Sequence, residues 1–335
     1  MLKTKRILLT LTILLAAMGT VLAQAQPKPV LKYKADGKFK IVQLTDIHYK
    51  FGKSGSKRAL ECINNVLDSE QPDFVILTGD LVYGNKVEDA IKEMTEPIIS
   101  RNIPFGIIFG NHDHQFDRTL SEIYDQVQAM PLSIMPERGE TASPDYTVEL
   151  MSADGAKIAN VFYCIDSHAG ARQKNVGRYD WIHTDQVMWY LDNSRQYKED
   201  NGGQSIPSLV FIHIPLLEYR YADSDEKAPQ FGNKGEGISS PELNSGLFTA
   251  ARDEGDVVGI FCGHDHDNDF ATAYMDVLLA YGRYSGGDTV YNHLRPSGAR
   301  VIELTEGSRD IHTWIRLSDG KVEQDTTFPA DYKKK

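Results

Sequence analysis

The chain has 335 residues, 41% hydrophobic and 25% charged, with 36 Lys and Arg against 47 Asp and Glu. A chain of this size buries a large core without staples, and three Cys are too few for a disulfide scaffold. The net charge of −11 argues against an electrostatic nucleic-acid groove and against loose docking on anionic lipid, both of which want a basic face.

The N-terminus reads as an address. Lys3, Lys5 and Arg6 precede Ile7 to Ala23, a stretch with no charge that ends Val21-Leu22-Ala23 before Gln24-Ala25. A basic start, an apolar run and small residues at its end predict a signal peptide over residues 1–23. The expected location is therefore periplasmic or secreted, with no stable membrane insertion after cleavage. Cleavage removes three cations and no acid, so the mature chain is still more negative. Cys62, Cys164 and Cys262 each lie among apolar neighbours and read as buried, inert thiols.

Strand and helix patterns then alternate. Residues 39–44 read as a strand, 57–69 as a helix, and 73–77 as a wholly apolar buried strand. Helix 87–100, strand 104–109 and helix 117–130 follow. Residues 146–150 and 157–165 form a hairpin turned at Asp154-Gly155. Thr184 is a candidate N-cap for a helix over 185–197. Strand 208–212, helix 241–254, strand 257–262 and shorter β segments to about Leu317 complete the pattern. No repeat or linker interrupts it. The reading is one domain over 36–320 with a C-terminal tail over 321–335, built as an α/β sandwich of two mixed sheets with helices outside.

Polar clusters begin where buried strands end. The five are Asp46-Ile47-His48, Gly79-Asp80, Gly110-Asn111-His112-Asp113, His213 and Gly263-His264-Asp265-His266. Sites in α/β sheets form at the carboxyl ends of strands, so the five clusters are expected to converge. Asp, His and Asn suit Fe, Mn or Zn, and seven such donors exceed what one ion needs. A pair of ions sharing one carboxylate is the recurrent solution for phosphoester hydrolysis.

In this order the five pieces resemble the calcineurin-like metallophosphoesterase superfamily, across residues 46–266. The resemblance implies a four-layer αββα sandwich of two mixed β-sheets flanked by helices. It implies that Asp46, His48 and His266 hold a first metal, and Asn111, His213 and His264 a second, with Asp80 bridging them. A hydroxide between the metals would attack phosphorus in line. His112 would neutralise phosphoryl charge or protonate the leaving group, and Asp113 would orient it. Gly79-Asp80-Leu81-Val82-Tyr83 also resembles the purple acid phosphatases, in which that Tyr binds ferric iron and the first motif is D-x-G. Here His48 fills that place, which makes Tyr83 a packing residue, and the pattern looks like the small, Dcr2-like purple-acid-phosphatase-like branch.

Other polar residues are assigned to the surroundings. Asp166-Ser167-His168 repeats the D-x-H spacing and is given a loop or substrate-side role. His183 reads as packing and His114 as a cleft residue and substrate-binding candidate. The irregular stretches 216–240 and 282–298 are the expected specificity loops, with Arg283 and Tyr284 as substrate-binding candidates. The expected activity is hydrolysis of phosphomonoesters, small or macromolecular. A phosphodiesterase, or a non-catalytic metal-holding domain that binds a partner, is the alternative.

Overall fold

Short apolar runs become the strands, and amphipathic segments between them become the helices. The computed structural model describes residues 28–333, and the predicted signal peptide lies outside them. In chain order come β1 (Leu31–Lys32), β2 (Lys38–Leu44), α1 (Ser54–Glu70), β3 (Phe74–Thr78), α2 (Val87–Ser100), β4 (Phe105–Ile108) and α3 (Leu120–Gln128). The hairpin β5 (Tyr146–Met151) and β6 (Ile158–Cys164) follows, then α4 (Thr184–Asp200), β7 (Ser208–Phe211), α5 (Glu218–Asp223), β8 (Gln230–Phe231) and α6 (Leu247–Glu254). The last strands are β9 (Val257–Cys262), β10 (Ala271–Tyr274), β11 (Val277–Tyr281), β12 (Gly298–Thr305), β13 (Ile311–Leu317) and β14 (Val322–Phe328).

Two mixed sheets stack face to face. One runs β1-β5-β6-β7-β9-β11-β10-β8 and the other β14-β13-β12-β2-β3-β4. The main core fills the space between them and beneath α1 and α2; a second cluster lies beneath α4, α5 and α6. This is the expected αββα layering. Within the smaller sheet β2, β3 and β4 are parallel neighbours; within the larger, β7 and β9 are. Parallel neighbours end on the same side, so five strands deliver their loops to one edge of the sandwich.

Several boundaries depart from the sequence reading. The segment from 321 is not all tail: β14 extends the smaller sheet by pairing with β13. Its polar sequence is that of an edge strand with one solvent face. α3 starts at Leu120 because Thr119 and Glu122 form a capping box, while Asp117 accepts from the first N–H groups of α2. α4 starts at Thr184, and Gln186 reaches back to accept from the N–H of His183, its N-cap. α6 starts at Leu247 because Asn244 and Ser245 bend the preceding backbone. All three Cys are free and buried. No helix among the described residues is long and apolar enough to cross a membrane.

Candidate metal centre

The five strand-end loops meet between the sheets. Asp46 and His48 follow β2, Asp80 follows β3, and Asn111, His112 and Asp113 follow β4. His213 follows β7, and His264 and His266 follow β9. Asp46, His48, Asp80 and His264 all hold left-handed backbone, with φ of 54°, 46°, 51° and 80°. Such backbone costs about 1–3 kcal/mol per non-glycine residue and persists only where surrounding structure enforces it. The glycines beside them allow close approach. A Cβ on Gly263 would collide with Thr45 Oγ1 and lie 2.7 Å from Asp46 Oδ2.

Seven donors face one another there. His48 Nε2 lies 3.0 Å from His266 Nε2, and His266 Nε2 lies 3.6 Å from Asp46 Oδ1. His213 Nε2 lies 3.2 Å from Asn111 Oδ1. Asp80 joins the two halves, because its Oδ2 is 3.5 Å from His48 Nε2 and 3.4 Å from His213 Nε2. The donor atoms form two groups, Asp46–His48–Asp80–His266 and Asp80–His213–His264, with Asp80 common to both.

The backs of these ligands are tied to backbone. His213 Nδ1 pairs with Thr78 O at 2.8 Å and His266 Nδ1 with Tyr291 O at 2.8 Å, which turns each Nε2 inward. Asp46 Oδ2 accepts from Thr45 Oγ1 at 2.8 Å and from the N–H of His264 at 3.0 Å. Other buried atoms of these residues have no partner. Asp46 Oδ1, both ring nitrogens of His264 and Nδ1 of His48 are buried without a hydrogen bond. Buried polar atoms are almost always satisfied, so these orphans, beside Asp, His and Asn donors, fit cations.

The electrostatics agree. Burial keeps His48 and His264 well below the usual imidazole range, which leaves them neutral and able to coordinate. Burial pushes Asp46 up. Asp80 and His213 form a coupled pair: burial opposes both charges, yet their mutual attraction holds Asp80 well below and His213 up at about 10.

The calcineurin-like phosphoesterase profile matches residues 39–268. The chain belongs to this family. Among curated relatives, "Probable inactive purple acid phosphatase 29" of Arabidopsis thaliana is 30% identical, covering 86% of this chain and 85% of its own. "Phosphatase DCR2" of Saccharomyces cerevisiae is 29% identical over 86% of this chain and 55% of its own. Among solved structures, a dimetal phosphatase from Danio rerio has a TM-score of 0.60 at 12% identity, covering 86% of this chain and 98% of its own. GAP50, described as the anchor in the inner membrane complex of Plasmodium, has a TM-score of 0.57 at 18% identity, covering 89% and 90%.

Around the candidate metal centre this calcineurin-like phosphoesterase departs from several sequence expectations. The Asp113 carboxylate makes no hydrogen bond to the His112 ring. It is buried and accepts from three backbone N–H groups, those of Leu81 at 2.8 Å, Val82 at 3.2 Å and Gly110 at 2.8 Å. It therefore splices the β3 and β4 loops. Burial pushes its carboxyl up to about 7, with the Asp80 charge adding to the effect. His112 is oriented by Gln115, whose Oε1 lies 2.9 Å from Nδ1. Nε2 is left as the free ring nitrogen. Asp80 Oδ1 accepts from the N–H of His112 at 2.8 Å.

Arg283 and Tyr284, two of the substrate-binding candidates, do not line the cleft. Both are buried: Arg283 pairs with Asp269 and donates to Pro296 O, while Tyr284 Oη donates to Gly287 O. Tyr83 packs edge-on against His48 and His112, each at 5.1 Å between ring centroids. The open space lies elsewhere. A cleft of about 660 Å³ is lined by Asn111, His112 and His114 on one side and by residues 166–183 on the other. Within that second wall Tyr179 packs edge-on against His264 at 4.6 Å, a contact sequence reasoning missed. The sequence signal was the polar stretch after β6, which begins Asp166-Ser167-His168.

Proposed function

We propose that this chain is an exported phosphoesterase that uses two metal ions, of Fe, Mn or Zn, to hydrolyse phosphomonoesters. The observation that carries this reading is Asp80 Oδ2, shared between two convergent donor groups beside a histidine with a free ring nitrogen. Asp46, His48 and His266 would hold one ion, Asn111, His213 and His264 the other, with Asp80 between. Ions bound there supply a nucleophile at neutral pH and neutralise charge on the phosphoryl group. With Nδ1 held by Gln115, His112 offers Nε2 to a phosphoryl oxygen or to the leaving group. Asp113 acts on the backbone that carries these groups. The cleft wall carries arginines and imidazoles, groups that suit the doubly charged phosphoryl of a monoester, which supports that substrate class. Three Arabidopsis relatives bear "probable inactive" in their names. The complete donor set and His112 support hydrolysis in this chain. The basic start and apolar run of residues 1–23 support export.

The test is a metal-loaded sample assayed on p-nitrophenyl phosphate and on bis-p-nitrophenyl phosphate. Faster release from the monoester is the expected result. Preference for the diester would replace this reading with a phosphodiesterase, and two bound metals without turnover would leave a partner-binding domain. N-terminal sequencing of the exported protein checks cleavage after Ala23.

A further inference from the structure

We infer that the cleft wall formed by residues 169–180 binds a second anionic group, phosphate or carboxylate, on the same small substrate whose phosphoester faces the metal centre. The inference rests on the phosphoesterase reading and adds a substrate class to it: phosphomonoesters bearing a further anion.

The wall is a short two-stranded ribbon. The N–H of Ala171 donates to Arg178 O at 3.0 Å, and the N–H of Asp180 to Ala169 O at 2.8 Å. This pairing brings Arg172 and Arg178 to the same end of the ribbon. Both residues line the cleft, opposite Asn111 and His112. The ribbon is fixed to the metal centre at two points. Ser167 Oγ accepts from the N–H groups of His213 and Ile214, and the Tyr179 ring packs on His264. The Arg178 guanidinium lies 5.1 Å from the Tyr179 ring centroid.

What distinguishes these two arginines is what they lack. Every other arginine among the described residues donates to a carboxylate or to a backbone carbonyl. Arg172 and Arg178 have no such partner. The carboxylates of the same wall are engaged by their neighbours: Asp180 Oδ1 lies 3.0 Å from His183 Nε2, and Asp166 Oδ1 accepts from the N–H of His168 at 2.9 Å. On a chain of net charge −11, two cleft-lining arginines with neither a carboxylate nor a carbonyl partner form a local exception. Guanidinium geometry matches phosphate and carboxylate oxygens through paired N–H donors. The volume, about 660 Å³, is that of a small-molecule site.

The test compares three hexose-sized probes by calorimetry on the metal-loaded full chain, parent and variants alike carrying H112A so that turnover during the titration is slow. Glucose 6-phosphate has one anionic group, 6-phosphogluconate adds a carboxylate, and fructose 1,6-bisphosphate adds a phosphate. The bisphosphate is expected to bind about tenfold or more tighter than glucose 6-phosphate, the scale of one charge-assisted hydrogen bond. In R172A/R178A that ratio is expected to fall to near one, and in R172E/R178E below one. R195A, which removes a cation from α4, is expected to keep the ratio. A gain with 6-phosphogluconate that is lost in the double variant extends the site to carboxylates; no gain restricts it to phosphate. A bisphosphate preference that persists in both double variants, or is absent from the parent chain, overturns the inference. The two readings fail separately. Arginine-dependent binding without hydrolysis of any phosphoester would remove the phosphatase reading alone, whereas hydrolysis without that dependence would remove this inference alone.

Discussion

His112 draws its role from two neighbours. Its backbone N–H is held by Asp80 and its Nδ1 by Gln115, so the ring cannot turn its free nitrogen away. Replacing His112 with Ala is expected to lower kcat by roughly 10²–10⁴-fold, the range of acid–base help, with both metals retained on elemental analysis. Full turnover in that variant would remove His112 from the chemistry. Gln115→Leu keeps the imidazole and deletes its acceptor. A partial loss of kcat, a shifted pH profile and rescue by Gln115→Glu are expected; a profile identical to the parent's would end the positioning role. Asp113 tests the opposite case. Asp113→Ala strands three buried N–H donors, at a cost on the order of 1–3 kcal/mol each. The urea midpoint is expected to fall markedly. A kcat defect with an unchanged midpoint would restore a role in orienting His112.

Strand ends decide where the donors go. Five loops leave five strands and turn at once, and the left-handed backbone at Asp46, His48, Asp80 and His264 is the cost of turning so tightly. Gly263 sits at one of the tightest of these turns, since the oxygens of Thr45 and Asp46 occupy the space a side chain would need. Gly263→Ala is expected to displace Asp46, weaken metal retention and lower turnover about a hundredfold, the scale of a 1 Å misplacement. Normal metal content in that variant would refute the steric argument. The same loops explain what the sequence made legible. A buried parallel strand is a continuous apolar run, so its end is marked by the first Gly and the first polar ligand, and the donor clusters could be read directly. Polar residues in long loops carry no such mark. Arg283 reads as a substrate-binding loop cation, yet it folds inward onto Asp269, fourteen residues earlier. Asp113 reads as a partner of its neighbour, yet its acceptors are spent on backbone from the β3 loop. β14 is hidden by its solvent face, and the cleft wall at 166–183 by its lack of apolar periodicity. Each of these depends on contacts across the sheets, which local pattern does not encode.

The candidate metal centre is also a joint between the two halves of the sandwich. Asp46, His48, Asp80 and Asn111 come from the smaller sheet, and His213, His264 and His266 from the larger. Ions bound across that seam stabilise the fold by mass action, about 4 kcal/mol at a thousandfold excess over Kd, so chelation is expected to lower Tm. The coupled pair at the centre sets the pH dependence. Without metal, the Asp80 charge outweighs burial and pushes His213 up to about 10, which favours the imidazolium between pH 6 and 8. Its Nδ1–H donates to Thr78 O, and its other proton faces Asp80 Oδ2. Metal must displace that second proton, because a coordinating imidazole nitrogen has to be free of it. Protonation thus competes with loading, and the competition weakens as pH rises. Apparent affinity is expected to climb by about one decade per pH unit from this residue alone, with one proton released. Titrating Zn into the metal-free protein in two buffers of different ionisation enthalpy counts the protons directly. His213→Ala weakens binding but is expected to flatten the slope as well. An affinity independent of pH between 6 and 8 in the parent chain would show that His213 is already neutral, and that the charge of Asp80 is balanced elsewhere.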